Sequence, residues 1–323
     1  ILAAMHPDLV LNYLSIERLL NAYDPQVVIA NSVIDQISVV RAWCRRKQRQ
    51  FVRLAHGVEI NLDGDYLWDT DVAGAIGPYA RDRIQDNPSI HPVVLPVGAM
   101  HLDAQGQMAA RQCEAQRSGA AGWPKRLLFV LKGYMGYDFP DALDEVLHDL
   151  QSMAEAIAPT GWELAIRCHP RHVDREAFSS MIASLQESGY SVSESDPKES
   201  LASDLARSGA VLTRSWSGPA VVGLYSGTPV IGWLARTMHR HLEQMVHDLP
   251  LQAVDGPGLA AILDSLHRDP SQTRSILERQ REILEAYHFV TEGDPYALAA
   301  DALGSVLKND FANRAHPKEH LQS

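Results

Sequence analysis

The sequence predicts an α/β protein of two doubly wound domains with parallel sheets. Three observations carry that expectation. Short strand-like runs alternate with helix-length segments along most of the 323 residues, the pattern of parallel strands joined by helical crossovers. The alternation breaks once, over an Ala- and Gln-rich stretch near 104–123, and then restarts. Several runs end in Gly, Ser or His-Pro turns, and the carboxyl ends of such strands are where these sheets hold ligands.

The chain opens on a helical pattern over 7–23, with Leu9, Leu14, Ile16, Leu19 and Leu20 at helical spacing. Strands are expected at 25–30, 51–55, 71–76 and 91–97, with helices at 32–46 and 79–85. After the break, strands are expected at 126–131, 162–167, 190–194, 210–213, 229–233 and 251–254. Helices fall between them at 141–156, 175–188, 200–208, 219–226, 238–247 and 258–267. Two more, 271–287 and 295–308, close the chain. The organisation is therefore a Rossmann-like domain over 1–103, a connection over 104–124, a second Rossmann-like domain with closing helices over 125–308, and a loose polar tail over 309–323. The first domain is short, opens on a helix and begins at Ile1 rather than Met. It is expected to be truncated, in a chain that begins inside a longer protein.

Composition excludes several classes. Hydrophobic residues make up 46%, enough to bury a core, so disorder is excluded for most of the chain. No apolar run approaches the roughly 18–20 residues of a spanning helix. A net charge of −11 with 7% aromatics gives neither the basic face nor the stacking platform that nucleic acid needs. Cys44, Cys113 and Cys168 lie far apart without metal-ligand spacing, so no metal site or disulfide framework is expected and a cytoplasmic setting is.

Four constellations carry chemistry. In Ala210-Val-Leu-Thr-Arg-Ser-Trp-Ser-Gly-Pro, a buried strand runs into a Ser/Gly turn. A helix then starts at Pro219, where proline suits the first turn. Its N-terminus at a strand's carboxyl end is a ready anion site. Arg214, Ser215, Ser217 and Gly218 are the candidate ligands, the plainer reading being that Ser217 only caps the helix. Ile166-Arg-Cys-His-Pro-Arg-His172 leaves a strand on the same edge, and Arg167, His169 and Pro170 are candidates there. Lys132 and Gly133, in Leu131-Lys-Gly-Tyr-Met-Gly136, follow the first strand of the second domain, where glycine lets backbone approach a ligand. In the first domain, Leu54-Ala-His-Gly-Val-Glu-Ile-Asn-Leu-Asp-Gly-Asp65 offers His56, Glu59 and Asp63 as a general base. The three histidines of 238–247 lack a zinc pattern and read as a solvated helix face. The basic run Arg41–Arg49 suits a helix C-terminus, or an anionic surface. P-loop, dinucleotide-binding and nucleophile-elbow fingerprints are absent from the sequence.

Taken in order, these pieces resemble the GT-B glycosyltransferases of bacterial surface polysaccharide synthesis. His56-Gly57 comes first, then His169-Pro170, then the Thr-x-Ser-x-Ser turn of Thr213–Ser217, then Gly227-Thr-Pro-Val230. The nearest groups are similar to the CMP-sugar (Kdo and sialyl) transferases and the CDP-glycerol glycerophosphotransferases. Each motif is short, so the resemblance specifies the superfamily better than the substrate. There are departures. The helix after the phosphate turn has no acid, the serines are split by Trp216, and only Leu62-Asp63-Gly64 meets the sialyltransferase acidic motif. The resemblance implies a metal-independent glycosyl transfer without a cofactor, from a nucleotide sugar (a CMP-sugar favoured) to a saccharide or glycolipid acceptor. It implies peripheral association with the inner membrane or with other polysaccharide-synthesis modules. A CDP-glycerol-type transferase, a non-hydrolysing UDP-sugar epimerase and a non-catalytic assembly scaffold remain open alternatives.

Overall fold

The computed structural model describes residues 7–30, 35–54, 70–119, 123–131, 141–169, 175–196, 198–234, 245–290 and 292–315. The chain forms two compact units, one drawn from residues up to His101 together with those from Glu285 onward, the other running Leu102–Leu284.

The first unit holds helix α1 (Pro7–Tyr23), strand β1 (Val27–Ala30), helix α2 (Asp35–Lys47), strands β2 (Gln50–Leu54) and β3 (Val72–Ala75), helix α3 (Pro78–Gln85) and strand β4 (Val93–Pro96). All pairings are parallel and the strands lie in sequence order, β1-β2-β3-β4. Trp43, Cys44 and Phe51 are fully buried in a small core with Leu20 and Val40. Three cations of the basic run meet acids within the unit: Arg41 pairs with Asp71 at 3.0 Å, Arg49 with Asp24 at 2.9 Å, and Arg46 with Glu17. They serve this unit's own acids, which leaves less of the run for an anionic surface. The Cys44 thiol is pushed up to about 11 by burial, with Asp71 adding to the effect.

The second unit is reached through helix α4 (Met100–Gly119). Strand β5 (Arg126–Val130), helix α5 (Asp141–Ile157), strand β6 (Glu163–Arg167), helix α6 (Arg175–Glu187), strand β7 (Val192–Glu194), helix α7 (Leu201–Ala206) and strand β8 (Ala210–Thr213) follow. Helix α8 (Gly218–Tyr225), strands β9 (Val230–Trp233) and β10 (Gln252–Ala253) and helices α9 (Gly256–Arg268) and α10 (Pro270–Tyr287) complete it. The six parallel strands run in the order β10-β9-β8-β5-β6-β7. The β5, β8 and β9 strands are buried almost throughout, as central strands covered on both faces must be. Gln280 of α10 completes the edge of β9. Its amide donates to Val230 O at 2.6 Å and accepts from Val230 N at 3.1 Å, pairing that residue as a strand would.

Three expectations are corrected. The stretch 104–124 is not a simple connection, because 100–119 is one helix. Its buried residues Leu102, Asp103, Gly106, Ala109 and Cys113 recur at helical spacing. After Leu102 the stripe is an acid and three small residues, which carry too little hydrophobicity to show in the sequence. The last helix, α11 (Pro295–Ala315), runs past 308, so 309–315 is not a loose tail. It packs on β4 in the first unit rather than closing the second. The expected helix at 238–247 lies mostly outside the described residues. None of the described helices is long and apolar enough to cross a membrane.

The chain re-enters the first unit beside β3, where Phe289 N donates to Ile76 O at 2.8 Å. The neighbouring His288 is 1% exposed, and burial pushes its pKa from 6.5 down to about 3. Unfolded, it takes a proton near 6.5; folded, it stays neutral until about pH 3. Its effect on stability is therefore nil above pH 6.5 and grows as pH falls toward 3. In urea unfolding, stability should drop by on the order of 1.4 kcal/mol per pH unit over the upper part of that window. His288→Gln should flatten the slope.

Candidate functional site

The second sheet changes winding direction between β5 and β8. From β5 the chain builds outward through β6 and β7, then returns to β8 and builds the other way through β9 and β10. At such a switch point the loops leave two adjacent carboxyl ends in opposite directions and open a crevice. Val130 is the register partner of both Thr213 and Arg167. The three strands therefore end level, and Leu131, Arg214 and Cys168 leave the edge together. At the usual strand spacing, the ends of β6 and β8 stand about 10 Å apart, a span that suits a phosphorylated ligand lying across the edge.

The turn after β8 is held from beneath. Thr213, buried, donates through Oγ1 to Ser215 O at 2.6 Å. Trp216 is 1% exposed, so the residue that splits the two serines anchors the turn in the protein. Ser217 takes the extended N-cap conformation, and its carbonyl accepts from Val221 N at 3.0 Å. Its hydroxyl makes no cap bond, however, and Oγ is buried without a hydrogen-bond partner. The first amides of a helix lack intrahelical partners, so unpaired donors gather at this end of α8. Pro219 sits in the first turn, and that turn carries no acid. At the far end Gly227 adopts a positive φ of 65°, as a residue just past a helix end does.

The sequence-derived candidates divide. Ser215, Ser217, Gly218 and the exposed His169 lie on this one edge. The two arginines do not offer free guanidinium heads to it. Arg167 donates to Asp204 and, at 3.0 Å, to Glu199 O. Arg214 lies 3.5 Å from Asp149 Oδ2 and 3.8 Å from Glu145 Oε2, both on α5. The physical reason is the buried acids. Asp204 is 0% exposed and gathers Arg126 at 3.4 Å and Arg207 at 3.0 Å as well. A carboxylate that deep must be paired. His56, Glu59, Asp63, Lys132, Gly133 and Pro170 lie outside the described residues.

Sequence reasoning missed Asp204, Asp103, Tyr225 and Arg117. For Asp204 a signal existed: an acid within Leu201-Ala-Ser-Asp-Leu-Ala206, among residues that helical periodicity sends to the core. Cys168 is half-buried at the site edge, whereas Cys44 and Cys113 are buried elsewhere. Among the described residues no group of His, Cys, Asp and Glu could hold a metal ion.

No family model and no curated protein sequence matches this chain. Solved structures do. A UDP-GlcNAc 2-epimerase from Neisseria meningitidis bound to UDP-GlcNAc is 14% identical with a TM-score of 0.61, over 95% of this chain and 84% of that one. S. aureus MnaA, in a co-structure with UDP, is 12% identical with a TM-score of 0.61, over 94% and 81%. An α,α-trehalose 6-phosphate synthase from Burkholderia multivorans is 13% identical with a TM-score of 0.62, over 98% and 77%. The fold is of the GT-B type. At these identities the likeness speaks for architecture alone.

Two serines at helix starts make a contrast. Ser200 caps α7, accepting from Ser203 N at 3.1 Å, while Ser217 caps nothing with its side chain. Ser200→Ala should cost about 1 kcal/mol in urea unfolding. Ser217→Ala should leave the ligand-free protein within about 0.5 kcal/mol of wild type.

Proposed function

We propose that the protein is a nucleotide-sugar enzyme, a glycosyltransferase that holds its donor's phosphates on the carboxyl edge of the second sheet. The observation that carries this reading is the buried, unpartnered Ser217 hydroxyl at the N-terminus of α8, on the edge where the winding reverses. A lone hydroxyl withdrawn from water there is costly unless a ligand oxygen meets it. Support comes also from the similar structures, which were solved with UDP and UDP-GlcNAc.

The chemistry is a displacement at the donor sugar's anomeric carbon. The bond from that carbon to the donor phosphate breaks, and a bond to the acceptor oxygen forms. The acceptor's proton passes to a base, for which His56, Glu59 and Asp63 are the candidates. The departing phosphate gains negative charge. The amides of the first turn of α8, Ser215, Ser217 and His169 stabilise it, which is the work a metal does in other transferases. The acceptor is a saccharide or glycolipid, and a lipid-linked one would bring the protein to the inner membrane face. The missing acid on α8 favours a cytidine donor, whereas the UDP and UDP-GlcNAc of the similar structures favour uridine.

A second reading, a UDP-sugar 2-epimerase, is favoured by the neighbours named as such. It differs in needing no acceptor. Thermal unfolding with CMP, CDP, UDP, GDP and their sugar conjugates tests both. A ligand at 100 times its Kd should add about 2.7 kcal/mol of stability. Under the transferase reading, nucleotide is released only when acceptor is present, and Ser217→Ala and His169→Ala each lower kcat by on the order of 100-fold. Conversion of a free UDP-sugar without acceptor would establish the epimerase instead. Wild-type rates in both variants would sink the site assignment.

A further inference from the structure

Helix α4 lies against the helix that carries the anion site. A Cβ on Gly106 would stand 2.5 Å from the Tyr225 ring, and one on Gly218 would stand 3.2 Å from the Leu102 side chain. Gly106 is thus what lets α4 approach α8 closely. The Tyr225 hydroxyl donates to Asp103 Oδ1 at 2.6 Å. Just past the same C-terminal end of α8, Arg117 donates to Gly227 O and Thr228 Oγ1, each at 2.9 Å. Helix α8 is thereby held at its first residue, at its last residue and just past its C-terminus, where a cation is favoured by the helix dipole.

Asp103 is an expensive way to do this. It is fully buried, its Oδ2 accepts no hydrogen bond, and burial raises its pKa above the ordinary carboxylate range. A neutral residue of similar shape would serve stability better. Groups that cost stability are found where activity needs them.

We infer that the Asp103–Tyr225 hydrogen bond is a positioning contact that fixes α8 for anion binding at its opposite end. Neither residue touches the ligand; both act through the helix. The inference rests on the proposed nucleotide site, and its test separates the two.

Tyr225→Phe keeps the ring against Gly106 and removes only the hydroxyl. UDP and CMP are the probes, titrated calorimetrically well below the melting temperature. Tyr225→Phe should bind the preferred nucleotide about fivefold more weakly, the lower end of coupling between separate sites. Asp103→Asn with Tyr225 intact, whose amide oxygen still accepts from the tyrosine hydroxyl, should keep most of the wild-type affinity. A merely structural contact would lower the melting temperature and leave affinity and KM unmoved. Hydrogen exchange without nucleotide should quicken in α8 of Tyr225→Phe and stay unchanged in α9. Unchanged affinity in Tyr225→Phe overturns the inference whatever the exchange shows. If the wild type binds neither UDP nor CMP, nor CDP or GDP, the proposed function fails. The inference, which names anion binding as what α8 is fixed for, then falls with it.

Discussion

The parallel pairing of β5 with β8 is the constraint on which the second unit turns. These strands are distant in sequence, and the chain lays down β6 and β7 on one side before returning to the other. Closing so long a loop costs entropy, and burial of both faces of the central strands offsets it. The pairing does three things at once. It creates the reversal of winding, it brings three strand ends level through Val130, and it puts the start of α8 at the crevice. Any other partner for β8 would separate Ser217 from the His169 edge.

Among the described residues on that edge, the arginines turn to internal acids. Asp204 draws Arg126, Arg167 and Arg207 to itself, and Arg214 leans on two acids of α5. Such networks break even at best in stability. Their contribution is orientation: Arg167 ties the end of β6 to α7 through Asp204 and the Glu199 carbonyl, so the loop bearing His169 starts from a fixed point. Among the described residues, the hydroxyls of Ser215 and Ser217, the first amides of α8 and the exposed His169 are what this edge offers.

The strands were legible because parallel, doubly covered strands read as short apolar runs between turn residues. All ten lie close to where the pattern puts them. Helix α4 was not legible, since a stripe of Leu102, Gly106, Ala109 and Cys113 buries area by close approach rather than by large side chains. The Ser217 turn was legible from the strand–Ser–Gly–Pro succession. The fate of the arginines was not. An arginine at a strand's carboxyl end looks the same in a sequence whether it faces a ligand or a buried carboxylate, and Asp204 stands some forty residues from Arg167. Pairing between distant segments, which decides the matter, leaves no local periodicity.

The first unit is made from two stretches of chain that the whole of the second unit separates. A ribosome releases α1 to β4 long before it releases α11, the helix that packs on β4. During synthesis the first sheet must therefore wait, its β4 flank uncovered, while the second unit has everything it needs once α10 has emerged. The order of completion is the reverse of the order of synthesis. Loss of α11 would injure the β1–β4 sheet and spare the Ser217 turn.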